Sequence, residues 1–233
     1  MRINWLYFKI YNMTHPYSDL SADLKSKCLK YIRKYLSEDF RFYMGDSDTM
    51  FIGDENELEG SMIFALDNFL LFGNTIDEDR VITQIREDYA KLNDEEKEIL
   101  KEWEEGAITS LFEVEKFDKD NMGLLELLTN IEYTVYSNTI FPEKLDKGSF
   151  VITNIVPIKG AWFLSGAQKI LPAEEEESIY RTLKEKGGLS LSTNPRFQKY
   201  FYRDIGVSRN DPCPCGGTKQ NGKPIKFKKC CGR

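Results

Sequence analysis

Up to Gly106 the chain spaces its apolar side chains every three or four positions. Beyond it that period gives way to short strand-like runs. Residues 1–17 carry no clear period and are compatible with an edge strand or a helix start. Ser18 then stands where an N-cap belongs. Leu20, Leu24, Cys28, Ile32, Tyr35 and Leu36 share one face, with Lys25, Lys27, Lys30 and Arg33 outside it, which predicts a helix. Cys28, on the apolar side, reads as a small buried hydrophobe. Residues 38–60 are acidic and turn-rich and read as surface loop; their carboxylates are ordinary for such a loop and make no metal site. Met62, Ile63, Leu66, Phe69 and Leu70 predict a second helix, ended by Gly73-Asn74. Thr75 caps a third through Val81, Ile82, Ile85 and Tyr89, and Asp94 a fourth through Ile99, Leu100 and Trp103.

After Gly106, residues 110–117, 123–128, 131–136, 149–157 and 161–166 read as strands parted by turns. The Asp118-x-Asp120 turn lacks the ligand series and closing Glu of a calcium loop and reads as a hairpin. Five short strands in one stretch predict a small β-barrel of SH3-like or OB-like character. Residues 173–186 then predict a helix with glutamates in its first turn and Arg181, Lys184 and Lys186 in its last, matching the helix dipole. Residues 189–207 read as a linker in which Phe197, Tyr200, Phe201 and Tyr202 interleave with Arg196, Lys199 and Arg203. Those aromatics fit either an anchor onto the body or a stacking surface for single-stranded nucleic acid. The expected fold is α+β in four parts: a mainly helical domain (1–106), a small β-barrel (107–171), a helix and linker (172–202) and a tail (203–233).

Composition adds a core, a compartment and a charge split. Of 233 residues, 41% are apolar and 13% aromatic, enough for a packed interior. No apolar run approaches the ~20 residues that span a bilayer, and the N-terminal stretch lacks the exit of a signal peptide. The expected location is cytoplasmic, where paired cysteines favour metal over disulfide. Residues 203–233 hold eight Lys/Arg and two Asp, a net of +6; since the chain carries −6, the rest carries −12. An acidic body with a basic tail suggests an anionic partner, or a tail docked on its own body.

The tail carries the chemistry. Four of the five cysteines form two tight pairs, Cys213/Cys215 and Cys230/Cys231. Pro214 fixes the backbone between the first pair, Gly216 and Gly217 let the chain fold back, and Asn221-Gly222 predicts a hairpin over 218–229 that returns the second pair to the first. Basic neighbours favour the deprotonated sulfurs a metal requires. Four thiolates leave no open position, so the expected cofactor is a structural Zn²⁺ held by Cys213, Cys215, Cys230 and Cys231. Adjacent Cys230-Cys231 is poor spacing for an iron–sulfur cluster.

Arg209-Asn210-Asp211-Pro212-Cys213-Pro214-Cys215-Gly216 followed by Lys228-Lys229-Cys230-Cys231-Gly232 resembles the SEC-C motif, the zinc-binding tail of the translocase ATPase SecA, which recurs on otherwise unrelated proteins. The resemblance implies the same four ligands and, as a class of partner, the ribosome or an acidic chaperone surface. The loop between the pairs is longer than in the usual motif. Residues 100–166 look similar to uncharacterised bacterial SEC-C proteins.

No catalytic motif competes. Gly217-Thr218-Lys219-Gln220-Asn221-Gly222-Lys223 follows much of a P-loop, but Pro224 stands where a magnesium-binding hydroxyl must. His15 is the only histidine and has no nucleophile motif beside it. The expected function is therefore a zinc-binding adaptor whose basic knuckle, through Lys219, Lys223, Lys226, Lys228 and Lys229, binds a ribosome, RNA or an acidic protein surface. An effector enzyme such as a nuclease, with its site in 1–106 and the tail as a targeting module, is the alternative. A tail that merely staples the body is a third reading.

Overall fold

The computed structural model describes residues 15–45, 55–118, 121–137, 146–171, 175–186, 195–219 and 221–231. Its order is α1 (Ser18–Tyr35), α2 (Ser37–Gly45), α3 (Glu55–Phe72), α4 (Val81–Asp88), α5 (Asp94–Gly106), β1 (Ile108–Phe117), β2 (Asn121–Glu126), β3 (Glu132–Tyr136), β4 (Phe150–Ile158), β5 (Ala161–Leu171), α6 (Glu176–Glu185), α7 (Pro195–Asp204) and a 3-10 turn at Phe227–Lys229. The fold is mixed α+β. No helix among the described residues is long and apolar enough to cross a membrane.

Several local expectations are corrected. The stretch read as acidic loop holds α2, because Phe40 and Tyr43, three residues apart, both lay their rings on Phe69 of α3. Its Glu38 and Asp39 sit in the first turn, where the helix dipole favours acid. The acidic residues at 46–54 lie outside the described residues. The N-cap of α1 is Tyr17, not Ser18; that of α4 is Arg80, not Thr75, which instead closes a turn with Asp79. Helix α5 is capped by Asn93 rather than Asp94. The Asn93 side chain accepts from the Glu96 N–H at 2.9 Å while the Glu96 carboxylate accepts from the Asn93 N–H at 3.0 Å, a capping box.

The five strands form one sheet in the order β1-β2-β3-β5-β4, which closes through β4 on β1. All pairings are antiparallel except β3 with β5, joined in parallel at Val135↔Trp162 and Tyr136↔Phe163. Phe112, Val114, Met122, Leu124, Val135, Val151 and Ile155 fill the space inside. On the far side of β4 and β5, Val156, Ile158 and Phe163 join the core of α1, α3, α4 and α5, built on Leu24, Cys28, Ile32, Phe69, Ile82, Leu100 and Trp103. Cys28 is fully buried there, and burial pushes its thiol up to about 12, so it acts as an apolar filler.

A buried polar cluster crosses the same seam. Asp67 on α3, 1% exposed, pairs with Lys25 of α1 and accepts from Ser165 at 3.0 Å and from Asn154 at 2.7 Å. Asn154 also donates to Asn68 at 2.9 Å, and Lys25 donates to Ser165 at 2.6 Å. The register of β4 on β5 slips between Ile152 and Asn154, opposite a bulge that starts at Gly166. Gly166 has φ +77°, and a Cβ there would lie 2.6 Å from Asp67 Oδ2. Backbone can approach the carboxylate this closely only where a side chain is absent.

A third apolar cluster lies at the other end of the sheet. Leu125, Leu127 and Phe150 meet Ile179, Tyr180 and Leu183 of α6 and Phe197 of α7. Within the stretch expected to be a linker, residues 195–204 form helix α7, and its aromatics Phe197, Tyr200 and Phe201 anchor it on this cluster. Phe197 is fully buried and stacks on Phe150 at 5.7 Å, while Tyr200 stacks on Tyr180 at 5.3 Å.

Candidate metal centre

Helix α7 delivers the chain to the cysteine site. Its C-terminus closes with the Gly206 N–H on Arg203 O at 3.1 Å and the Val207 N–H on Tyr202 O at 2.8 Å. This is the paired 5→2 and 6→1 ending that needs a left-handed residue, supplied by Gly206 at φ +82°. A turn follows in which Asp211 accepts from the Ser208 N–H at 2.7 Å. Residues 209–213 then lie against 225–228: Phe227 N–H donates to Asp211 O at 2.8 Å, Lys228 N–H to Arg209 O at 3.1 Å, and Cys213 N–H to Ile225 O at 2.8 Å. The turn expected at Asn221-Gly222 is present, with Gly222 at φ +73° and Thr218 in an isolated bridge opposite Pro224; the expected hairpin over 218–229 is shorter, because 227–229 forms a 3-10 turn. The 3-10 turn at Phe227–Lys229 swings Cys230 and Cys231 back onto the first pair.

The four sulfurs expected as ligands, those of Cys213, Cys215, Cys230 and Cys231, all lie within 4.8 Å of one another. Cys215 Sγ is 3.3 Å from Cys213 Sγ and 3.4 Å from Cys230 Sγ, and Cys230 Sγ is 3.8 Å from Cys231 Sγ. These exceed the roughly 2.05 Å of a disulfide. They bracket the edge of about 3.8 Å that a tetrahedron of metal–sulfur bonds near 2.3 Å requires. The cluster can hold a metal ion, and its donor set suits a thiophilic one.

Electrostatics supports the same reading. Burial would raise the Cys213 thiol, but backbone N–H groups of Cys231 and Cys215, then the thiols of Cys215 and Cys231, donate to its sulfur and bring it down to about 6. Burial, then hydrogen bonding with Cys213, pushes Cys231 up; hydrogen bonds with Cys215 and Cys213 raise Cys230. The Cys213 thiolate is thus favoured while Cys230 and Cys231 hold their protons more tightly, so a metal ion would compete with protons at these sulfurs. The lysines were expected to supply this activation; the largest lowering contributions come from backbone N–H groups.

Of the lysines assigned to a partner, Lys219, Lys223, Lys226 and Lys229 are exposed and Lys228 is half-buried. None forms an ion pair with a described residue. Two cations of α7 are committed: Lys199 pairs with Glu176 at 2.7 Å and Arg203 with Glu177 at 2.9 Å. Tyr202 is one of the aromatics of the expected linker. Its ring meets Phe227 edge-on at 5.4 Å, and burial, followed by the charges of all four cysteines, raises its pKa.

These features define a mixed α+β chain that carries a four-cysteine knuckle. The chain belongs to a family of unknown function (DUF7986), whose pattern matches residues 18–210. A protein translocase subunit SecA from Wolinella succinogenes is 37% identical over 59 residues, which are 25% of this chain. The match spans 6% of that SecA's length. No solved structure matches the chain.

Proposed function

We propose that this protein is a zinc-stabilised interaction protein of the cytoplasm, whose SEC-C-like knuckle carries a lysine surface to an anionic macromolecule. The observation that carries the reading is the contrast between two sets of cations. Lys199 and Arg203 of α7 are paired within the chain, whereas the knuckle lysines, set between the two cysteine pairs, form no ion pair with a described residue. Four clustered thiols in a reducing compartment favour Zn²⁺, closed and structural, over catalysis. The partial likeness to a SecA supports a SEC-C reading of the tail.

The rest of the fold supports binding rather than chemistry. The closed strand order, with β3 paired in parallel directly to β5, favours an OB-like barrel over an SH3-like one. OB barrels use the loop between strands four and five for ligands. Here the Lys159 N–H in that loop donates to Glu102 at 2.7 Å and its side chain pairs with Glu95, which covers the loop with α5. Among the described residues of the helical part, the buried carboxylates Asp67 and Glu96 are each committed to a lysine.

The test uses the full-length protein, with bound zinc quantified, against ribosomes, poly(U) RNA and poly-glutamate. The wild type should carry one Zn²⁺ and capture at least one of these polyanions. Cys213→Ser with Cys230→Ser should lose both properties. Capture that survives in the metal-free variant would remove the knuckle from the function.

A further inference from the structure

The knuckle has little core of its own. Among its described residues, Cys213 and Phe227 alone are buried and apolar. A segment this small with one buried ring does not hold a fold by burial. What Phe227 packs against therefore matters, and that is Tyr202, on α7 rather than on the knuckle. Phe227 is placed by two features at once: its N–H on Asp211 O, and the 3-10 turn that carries Cys230 and Cys231. Tyr202 is likewise tied in both directions. Its carbonyl accepts the Val207 N–H that ends α7, and its helix continues back to Phe197, buried against Phe150. On the same helix Asp204 accepts from Tyr180 at 3.0 Å and from Lys184 at 2.6 Å, both on α6.

We infer that Tyr202 is a positioning residue of the metal centre, and that metal held by the four cysteines and the docking of α7 on the body stabilise each other through the Tyr202–Phe227 contact. Metal fixes the 3-10 turn and thereby the face on which the Tyr202 ring rests; a docked α7 in turn holds Phe227 over the cysteine cluster and slows opening of the site. The inference rests on the reading of the cysteines as metal ligands. The family match ends at residue 210, before Cys213, the first of the four clustered cysteines, so this contact joins the family body to the knuckle.

The experiment is run on the full chain loaded with Co²⁺, whose thiolate charge-transfer absorption reports the site directly. Transfer of metal to a chelator is timed, and amide exchange over residues 195–206 is followed with and without metal. The wild type should bind one Co²⁺ and lose about tenfold in exchange protection over α7 when metal is removed. Tyr202→Ala and Phe227→Ala should release metal about tenfold faster, and α7 in Tyr202→Ala should no longer respond to metal. Tyr202→Phe, which keeps the ring and removes the hydroxyl, should behave as wild type. Metal binding with α7 exchange indifferent to metal, or release rates unchanged in Tyr202→Ala, would overturn the inference alone. A wild-type chain that gives no charge-transfer band would end the metal reading and the inference together.

Discussion

Gly166 and the cysteines mark two extremes of what a single residue can reveal. Gly166 stands at φ +77° in β5, and any side chain there meets the Asp67 carboxylate. An alanine in the left-handed region costs about 1–2 kcal/mol by itself, and the clash with a buried, fully hydrogen-bonded carboxylate adds to it. Gly166→Ala should therefore lower stability by about 2–4 kcal/mol, seen as a reduced urea midpoint with an unchanged slope. A midpoint equal to wild type would mean that the bulge relaxes freely. Nothing local in the sequence points to this position, because the partners of Asp67 lie 87 and 98 residues away, at Asn154 and Ser165. The cysteine cluster was legible for the opposite reason: each pair is set by one or two backbone links, and the Asn-Gly turn between the pairs has a strong conformational preference.

At the scale of the element, α7 is the instructive miss. Phe197, Tyr200 and Phe201 stand at i, i+3 and i+4, a helical signature, but Ser, Asn and Pro just upstream suggested a linker. Pro195 is the first residue of the helix, a position where its missing N–H costs nothing. The five strands were legible from alternation and turns, whereas their closed order was not, because a parallel β3–β5 pairing leaves no local mark. Helix α7 also carries a pH dependence. Hydrogen bonds from Arg203, then Arg181, hold the Glu177 carboxyl below its ordinary value, and Lys184, then Tyr180, do the same for Asp204. A depressed carboxylate stabilises the folded state fully above its unfolded pKa, near 4, and loses that contribution as pH falls through the folded value. Acid should thus loosen α7 from α6 below about pH 4 before it opens the strands. Protons also strip metal from thiolates, so the comparison is with Glu177→Gln plus Asp204→Asn, which keeps the metal response and lacks the carboxylate one. Identical acid profiles of α7 amide exchange in the two proteins would assign the whole effect to the metal.

For the whole molecule the governing quantity is the separation of charge, +6 on residues 203–233 against −12 on the remainder. If the four exposed lysines Lys219, Lys223, Lys226 and Lys229 each displace one counterion from a nucleic acid, log K should fall with log salt at a slope of about −3 to −4. Lys219→Glu with Lys223→Glu should flatten that slope by about 2 without touching the cysteines. The acidic body adds a second, opposing effect. At physiological salt the Debye length is about 8 Å, so a partner seated on the hairpin feels chiefly the lysines. Near 0.01 M salt the length grows to about 30 Å, the body's charge comes within range, and repulsion should bend the binding curve below its high-salt line. Titration of the full chain with poly(U) across that range checks both features. A straight line down to the lowest salt would place the bound polyanion beyond the reach of the body, and a slope unchanged by the double lysine reversal would take the hairpin out of the interface.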